Sequence, residues 1–132
     1  MSRDVATVAV DAPAQEAGAL MTRLGVRRAP VVDGGRVVGI VSYSDLRALS
    51  ADDIAGRSVG EIMTTDPLTV SPDDTIGRAA QIMLQHRIGG LPVVDHHGAL
   101  VGIITESDIF KLVVRDWMHK AGEEPEPYAR YD

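Results

Sequence analysis

Leu91-Pro92-Val93-Val94-Asp95, a short turn, and then Val101-Gly102-Ile103-Ile104-Thr105-Glu106-Ser107-Asp108-Ile109 is a passage that this 132-residue chain uses twice. The other copy is Ala29-Pro30-Val31-Val32-Asp33 followed by Val38-Gly39-Ile40-Val41-Ser42-Tyr43-Ser44-Asp45-Leu46, about 62 residues earlier. One extra residue in the later turn, His96-His97-Gly98 against Gly34-Gly35, shifts the register. Upstream, Thr7-Val8 matches Thr69-Val70, Ala17 matches Ala79 and Met21 matches Met83. Matches in one order over this span mark an internal duplication, and a duplication governs how every other feature is read.

Each unit reads as strand, helix, strand, strand, helix. In the second, Leu68-Thr69-Val70 is a short strand ended by Ser71-Pro72. Ile76, Ala79, Ala80, Met83 and Leu84 then recur at helical spacing, with Ser71 and Asp74 as a capping pair. Leu91–Val94 is a strand, Asp95–Gly98 a turn, and Leu100–Ile104 an apolar run suited to a strand buried on both faces. A helix starts near Ser107 and runs towards Arg115. The first unit repeats the plan, with Ala14, Ala17, Leu20, Met21 and Leu24 on its helix. Its hairpin turn, Asp33-Gly34-Gly35, carries the glycines that positive φ requires. Between the units, Ser50–Arg57 is polar and reads as a linker, and Ser58-Val59-Gly60-Glu61-Ile62-Met63 as a capping box opening one helical turn. The acidic, proline-bearing stretch from Ala121 reads as an extended or disordered tail.

Composition narrows the chemistry. Hydrophobic residues make up 45% of the chain and aromatics 4%, so a core has to be built from Val, Ile, Leu, Ala and Met. There is no cysteine, which removes thiol catalysis, zinc–thiolate sites and disulfides and goes with a reducing cytoplasm. A net charge of −6 argues against nucleic acid as a partner, because phosphate affinity accumulates from Lys and Arg. No apolar run reaches the roughly 18 residues that span a bilayer, and the first residues lack a signal-peptide core, so no membrane partner is expected. His96 and His97 share a turn in which neighbouring side chains are expected to diverge, and the four histidines have no standard metal spacing. No nucleophile–base set or Gly-x-Ser-x-Gly elbow is present, so the chain reads as no enzyme and requires no cofactor.

The pattern Leu-Pro-Val-Val-Asp, a turn, then Gly-Ile-Ile-Thr-x-x-Asp, preceded by Met63-Thr64-Thr65-Asp66-Pro67, resembles the repeat of the CBS domain family. The resemblance covers roughly residues 5 to 115. It implies a mixed α/β (α+β) fold of two βαββα units packed sheet to sheet around a pseudo-two-fold axis. The division expected is residues 5–50 for the first repeat, 51–62 for the linker and capping turn, 63–116 for the second repeat and 117–132 for the tail. It also implies two clefts for an adenosine nucleotide (AMP, ADP or ATP) or S-adenosylmethionine, and association into a homodimer. Since the repeats take up nearly the whole chain, any signal is expected to pass through a separate, unknown regulated protein.

Ser42-x-x-Asp45 and Thr105-x-x-Asp108 are the central candidates, with Ser44 and Ser107 beside them. A Ser or Thr followed by an acid three residues on is first of all a helix capping box. The same geometry exposes helix N–H groups, which favour a phosphate. By resemblance, the two Asp carboxylates accept hydrogen bonds from ribose hydroxyls. Arg27 and Arg28 precede Ala29-Pro30 where the second repeat has Gly89 and Gly90. They are either solvated surface arginines or, by resemblance, phosphate ligands, while the glycines let backbone approach an adenine ring. Thr64, Asp66, Leu68 and Ile88 line, by resemblance, the adenine pocket of the Asp45 cleft. Asp4, Ala6 and Val26 are their counterparts for the Asp108 cleft, although nothing before residue 5 matches Glu61-Ile62-Met63-Thr64. The two clefts are therefore expected to be unequal, with the Asp45 cleft the better phosphate site. A module that dimerises or docks on a partner without any nucleotide is the alternative reading.

Overall fold

The computed structural model describes residues 5–120, with side chains to 118. Asp4 and the expected tail from residue 121 fall outside these residues, while 117–120 are described. The order is β1 (Val8–Ala9), α1 (Ala14–Leu24), β2 (Arg28–Asp33), β3 (Arg36–Ser42), α2 (Tyr43–Arg47), α3 (Ala51–Gly56), α4 (Val59–Ile62), β4 (Thr64–Thr65), α5 (Ile76–His86), β5 (Gly90–Val94), β6 (Leu100–Thr105) and α6 (Glu106–Lys120). It is a mixed α/β structure with two sheets, one ordered β1-β2-β3-β4 and the other β5-β6. No described helix is long and apolar enough to cross a membrane.

The duplication persists in detail. Both hairpins shift register at the same repeat position, between Val31 and Val32 and between Val93 and Val94. Helices α1 and α5 both end on a residue in the left-handed region, Gly25 at φ 66° and Arg87 at φ 54°. Glycine takes that conformation freely, whereas an arginine there costs about 1 kcal/mol. The β2–β3 turn is closed by Gly34 (φ 59°) and Gly35 (φ 82°), as the paired glycines predict. In the longer turn, Asp95 Oδ1 accepts hydrogen bonds from the Ala99 amide at 3.0 Å and the His97 amide at 2.9 Å. The Ala99 amide leads in holding the Asp95 carboxyl below its ordinary pKa. The His96 and His97 rings do not diverge; backbone tied to Asp95 brings their centroids within 3.9 Å.

Each unit has its own core. Met21, Val31, Val41 and Val59 are fully enclosed in the first, and Leu91 in the second beside Met83, Val93 and Ile104. Strand β6 is buried over Gly102–Thr105, in keeping with its apolar run.

Four local expectations are corrected. The second unit's first strand is reduced to one bridge, Val70 to Val93, because only the Val70 amide and carbonyl reach β5. Helix α5 is capped by Thr75, whose Oγ1 accepts from the Arg78 amide at 3.0 Å; Ser71 and Asp74 close a separate turn before it. The polar stretch 51–56 is a helix, capped by Ser50 and packed on α1. Helix α6 starts at Glu106 and runs past Arg115 to Lys120. The predicted box at Ser58 does form, with Glu61 Oε1 accepting from the Ser58 amide at 3.3 Å.

One strand crosses between the units. β4 comes from the start of the second repeat yet pairs antiparallel with β3 of the first, Gly39 facing Thr65 and Ile40 facing Thr64. Gly39 permits this approach: a Cβ there would strike Met63 Sδ and stand 2.8 Å from the Thr64 carbonyl oxygen. That crossing carries Thr64 and the residues after it to the edge of the first repeat's sheet.

Candidate functional site

A cleft of about 340 Å³ opens where β3, the β4 crossing and β5 converge. From the first unit it is lined by Arg28, Ile40, Ser42, Ser44 and Asp45. From the second it is lined by Thr64, Asp66, Pro67 and Leu68, and then by Ile88, Gly89, Gly90 and Pro92. Ten residues singled out in the sequence thus meet around one cavity, although they come from four separate stretches of chain.

Asp45 does two things there. Its Oδ2 accepts from the Ser42 amide at 2.8 Å, and its own amide donates to Ser42 Oγ at 3.2 Å, a reciprocal cap on α2. Oδ1 has no hydrogen bond among the described residues, so one carboxylate oxygen remains for a ligand. Ser42 Oγ also donates to Ser44 Oγ at 3.4 Å. Helix α2 is only five residues long, so the dipole invoked from the sequence is small, and the carboxylate and hydroxyls are the polar groups that count.

Ile40, Pro67, Leu68, Ile88 and Pro92 make much of the lining apolar, and Leu68 is 43% exposed. An apolar slot with a few convergent polar groups is the usual form of a small-molecule site. Ile40, Pro67 and Pro92 were not singled out in the sequence. The period of two in a strand would have found two of them: Ile40 lies two before Ser42 on β3, and Pro92 two after Gly90 on β5. Pro67 carries no such signal. Asp66, at φ 46°, takes the left-handed conformation that Asp tolerates better than most residues.

Arg28 is the one basic residue among those lining the cleft. Arg27 does not line it. Successive side chains of an extended chain point to opposite sides, so Arg27 is exposed while its carbonyl accepts from the Tyr43 amide at 2.7 Å. Gly89 and Gly90 line the cleft as well, and Arg28 lies over them, with Nη1 donating to the Gly89 carbonyl at 3.0 Å.

None of the second candidate set among the described residues lines this cleft, although Thr105 pairs with Gly90 across β5 and β6. Asp108 Oδ2 accepts from the Thr105 amide at 2.9 Å and from Thr105 Oγ1 at 3.2 Å, capping α6. Thr105 is 2% exposed, and Ser107 and Asp108 are half-buried. Ala6 is half-buried, and Val26 packs against the first core.

The CBS domain pattern matches residues 1–52 and again 59–115. The chain belongs to the CBS domain family. As a CBS pair it is similar to the uncharacterized protein MJ1225 of Methanocaldococcus jannaschii, 35% identical over 124 residues, which cover 84% of this chain and 44% of the relative. The chain thus spans less than half of that relative's length. Among solved structures, CBSX2 of Arabidopsis thaliana in complex with AMP is 30% identical with a TM-score of 0.79, covering 86% of this chain and 90% of that one. The CBS domain pair of protein MJ0100, in complex with 5′-methylthioadenosine and S-adenosyl-L-methionine, is 30% identical with a TM-score of 0.78, covering 85% and 93%. Two similar CBS pairs therefore hold adenosyl ligands of different charge.

Proposed function

We propose that this CBS pair is a non-catalytic regulatory module that binds an adenosyl ligand in the Asp45 cleft and passes occupancy to a separate protein. One observation carries the reading: a single cleft of about 340 Å³ joins an apolar slot, a carboxylate with a free oxygen and one arginine. An adenine ring suits the slot, a vicinal diol suits the free oxygen of Asp45, and a phosphate suits the guanidinium. One arginine against two carboxylates, Asp45 and Asp66, favours a ligand with one compact anionic group, and AMP is the first candidate. The AMP complex of CBSX2 supports this choice. The function requires no cofactor, and a cytoplasmic location accords with it. The Asp108 set is the second binding position of this proposal.

The test is calorimetric titration with AMP, ADP, ATP, adenosine, S-adenosylmethionine and 5′-methylthioadenosine. Saturation by AMP, tightest at the Asp45 cleft, with weaker binding of ATP is expected. If none of the six binds, the ligand-sensing reading fails.

A specific surface favours association as well. On α6, Phe110, Val113, Val114 and Trp117 follow a helical stripe, and all are exposed, Trp117 at 74%; Leu84 on α5 is 81% exposed. Two aromatics of roughly 150–250 Å² each make this patch large for a monomer's surface. We assign it to a second copy of the chain, because the stripe is self-complementary. An antiparallel pairing of two α6 helices centred between Val113 and Val114 sets Phe110 opposite Trp117 and Lys111 opposite Asp116. A groove of about 430 Å³ between α5 and α6, lined by Ala80, Leu84 and Phe110 among others, can then receive Trp117 of the other copy. Trp117→Glu is expected to weaken self-association by about thirtyfold or more, as removal of a buried aromatic anchor does. Sedimentation velocity measures it, and a native chain that stays monomeric at high concentration, or an unchanged dimer in the variant, would exclude this interface.

A further inference from the structure

We infer that Gly89 and Gly90 are specificity-determining residues that act through Arg28: they form its seat, and the seat sets the preference for phosphorylated over unphosphorylated adenosine. The inference rests on the ligand reading proposed above. Arg28 reaches from β2 across to the other repeat, 61 residues away, and Nη1 donates to the Gly89 carbonyl at 3.0 Å. A Cβ on Gly89 would stand 2.5 Å from Arg28 Nη2 and 2.6 Å from Glu106 Oε1, and one on Gly90 would stand 2.8 Å from Arg28 Cδ. Neither glycine is among the residues with positive φ. Their backbones would accept any side chain, so it is space, and not conformation, that calls for glycine at both.

The repeat alignment explains the pairing. Arg27-Arg28 and Gly89-Gly90 occupy the same position in the two units, and they meet across the interface. Bulk on one side needs room on the other, so the duplication can keep a seated arginine in only one of its two copies.

The seat matters because the cleft otherwise repels anions. Asp45 and Asp66 line it, and the Glu106 carboxylate stands on the same side of Gly89 as the Arg28 guanidinium. A phosphate is tolerated only where the guanidinium is held, and an arginine with five N–H donors can give one to Gly89 and keep others for the ligand. A displacement of about 1 Å is enough to lose well-oriented contacts. Adenosine carries no charge and is indifferent to that displacement.

The experiment is calorimetry of AMP and adenosine binding to the native chain, Gly89→Ala, Arg28→Met and the double variant. The native chain is expected to prefer AMP, and Gly89→Ala to lower the ratio of AMP to adenosine affinity roughly tenfold or more. Because both substitutions remove one device, the double variant should lose no more than Arg28→Met alone. Equal losses for AMP and adenosine, or single losses that multiply in the double variant, overturn the inference. Should Gly89→Ala fail to fold, Arg28→Lys on native glycines decides, since lysine keeps the charge but lacks the fork that the seat orients. Retention of the full AMP preference in Arg28→Lys overturns the inference. A native chain that binds both ligands equally ends this inference alone, whereas one that binds neither ends the ligand reading with it.

Discussion

Alanine at position 45 is expected to weaken AMP binding roughly 10- to 150-fold, the loss of about 1.5–3 kcal/mol that follows removal of a charge-assisted hydrogen bond. Asp45 also caps α2 through Oδ2 and the Ser42 amide, so the same change should cost about 1 kcal/mol of stability. The two effects separate in Asp45→Asn. Asparagine keeps a carbonyl oxygen for the Ser42 amide, so the cap survives, while the second acceptor oxygen and the charge are gone. Calorimetry and thermal melts on both variants are the measurement. Loss of affinity in both, with loss of stability in alanine alone, supports the ribose-binding role. Unchanged affinity in the alanine variant would reduce Asp45 to a helix cap.

Leu91→Ala is expected to be the most destabilising single truncation of the second unit. Leu91 is 0% exposed and sits in a core with Val70, Ala79, Met83, Val93 and Ile104. Truncating such a leucine costs about 2–5 kcal/mol, from lost transfer energy plus the cavity left behind. In a chain of this size that corresponds to a fall in Tm of roughly 8–20 °C. The two cores are distinct, yet β4 of the second repeat pairs into the first sheet, Arg28 bonds Gly89, and Arg36 bridges Ala99. Calorimetric unfolding should therefore show one transition that moves as a whole. A variant in which half of the heat signal stays at the native temperature would mean that the repeats unfold independently. Gly90 and Pro92 flank Leu91 on β5 and line the cleft, so AMP binding well below the melt is a check that the backbone of β5 is undisturbed.

Much of this was legible in the residues themselves. Both hairpins, the left-handed glycines at 34 and 35, the caps at Ser42, Ser58 and Thr105, and the apolar faces of α1 and α5 follow from spacing and turn chemistry, which act over a few residues. Where local signals competed, the reading slipped. Ser71 and Thr75 both offer caps before α5, and only the second stands directly before the helix. Residues 51–56 are polar enough for a linker, but Ser50 caps them and α1 gives them a surface. Val70 keeps a single bridge because strand pairing depends on a partner's position, which propensity does not encode.

The same division runs through the site. Duplication, absence of cysteine, net acidity and the two Ser/Thr-x-x-Asp steps are properties of the chain read alone, and they determined the family, the repeat plan and the carboxylates to examine. Which arginine enters the cleft, that it lies against the Gly-Gly pair, and that Thr64 closes the first repeat's sheet were decided only by tertiary structure. Periodicity says which side of a strand a residue takes; it does not say what stands opposite. Arg28 and Gly89 are 61 residues apart, and their meeting depends on how two sheets and a crossing strand are placed in space.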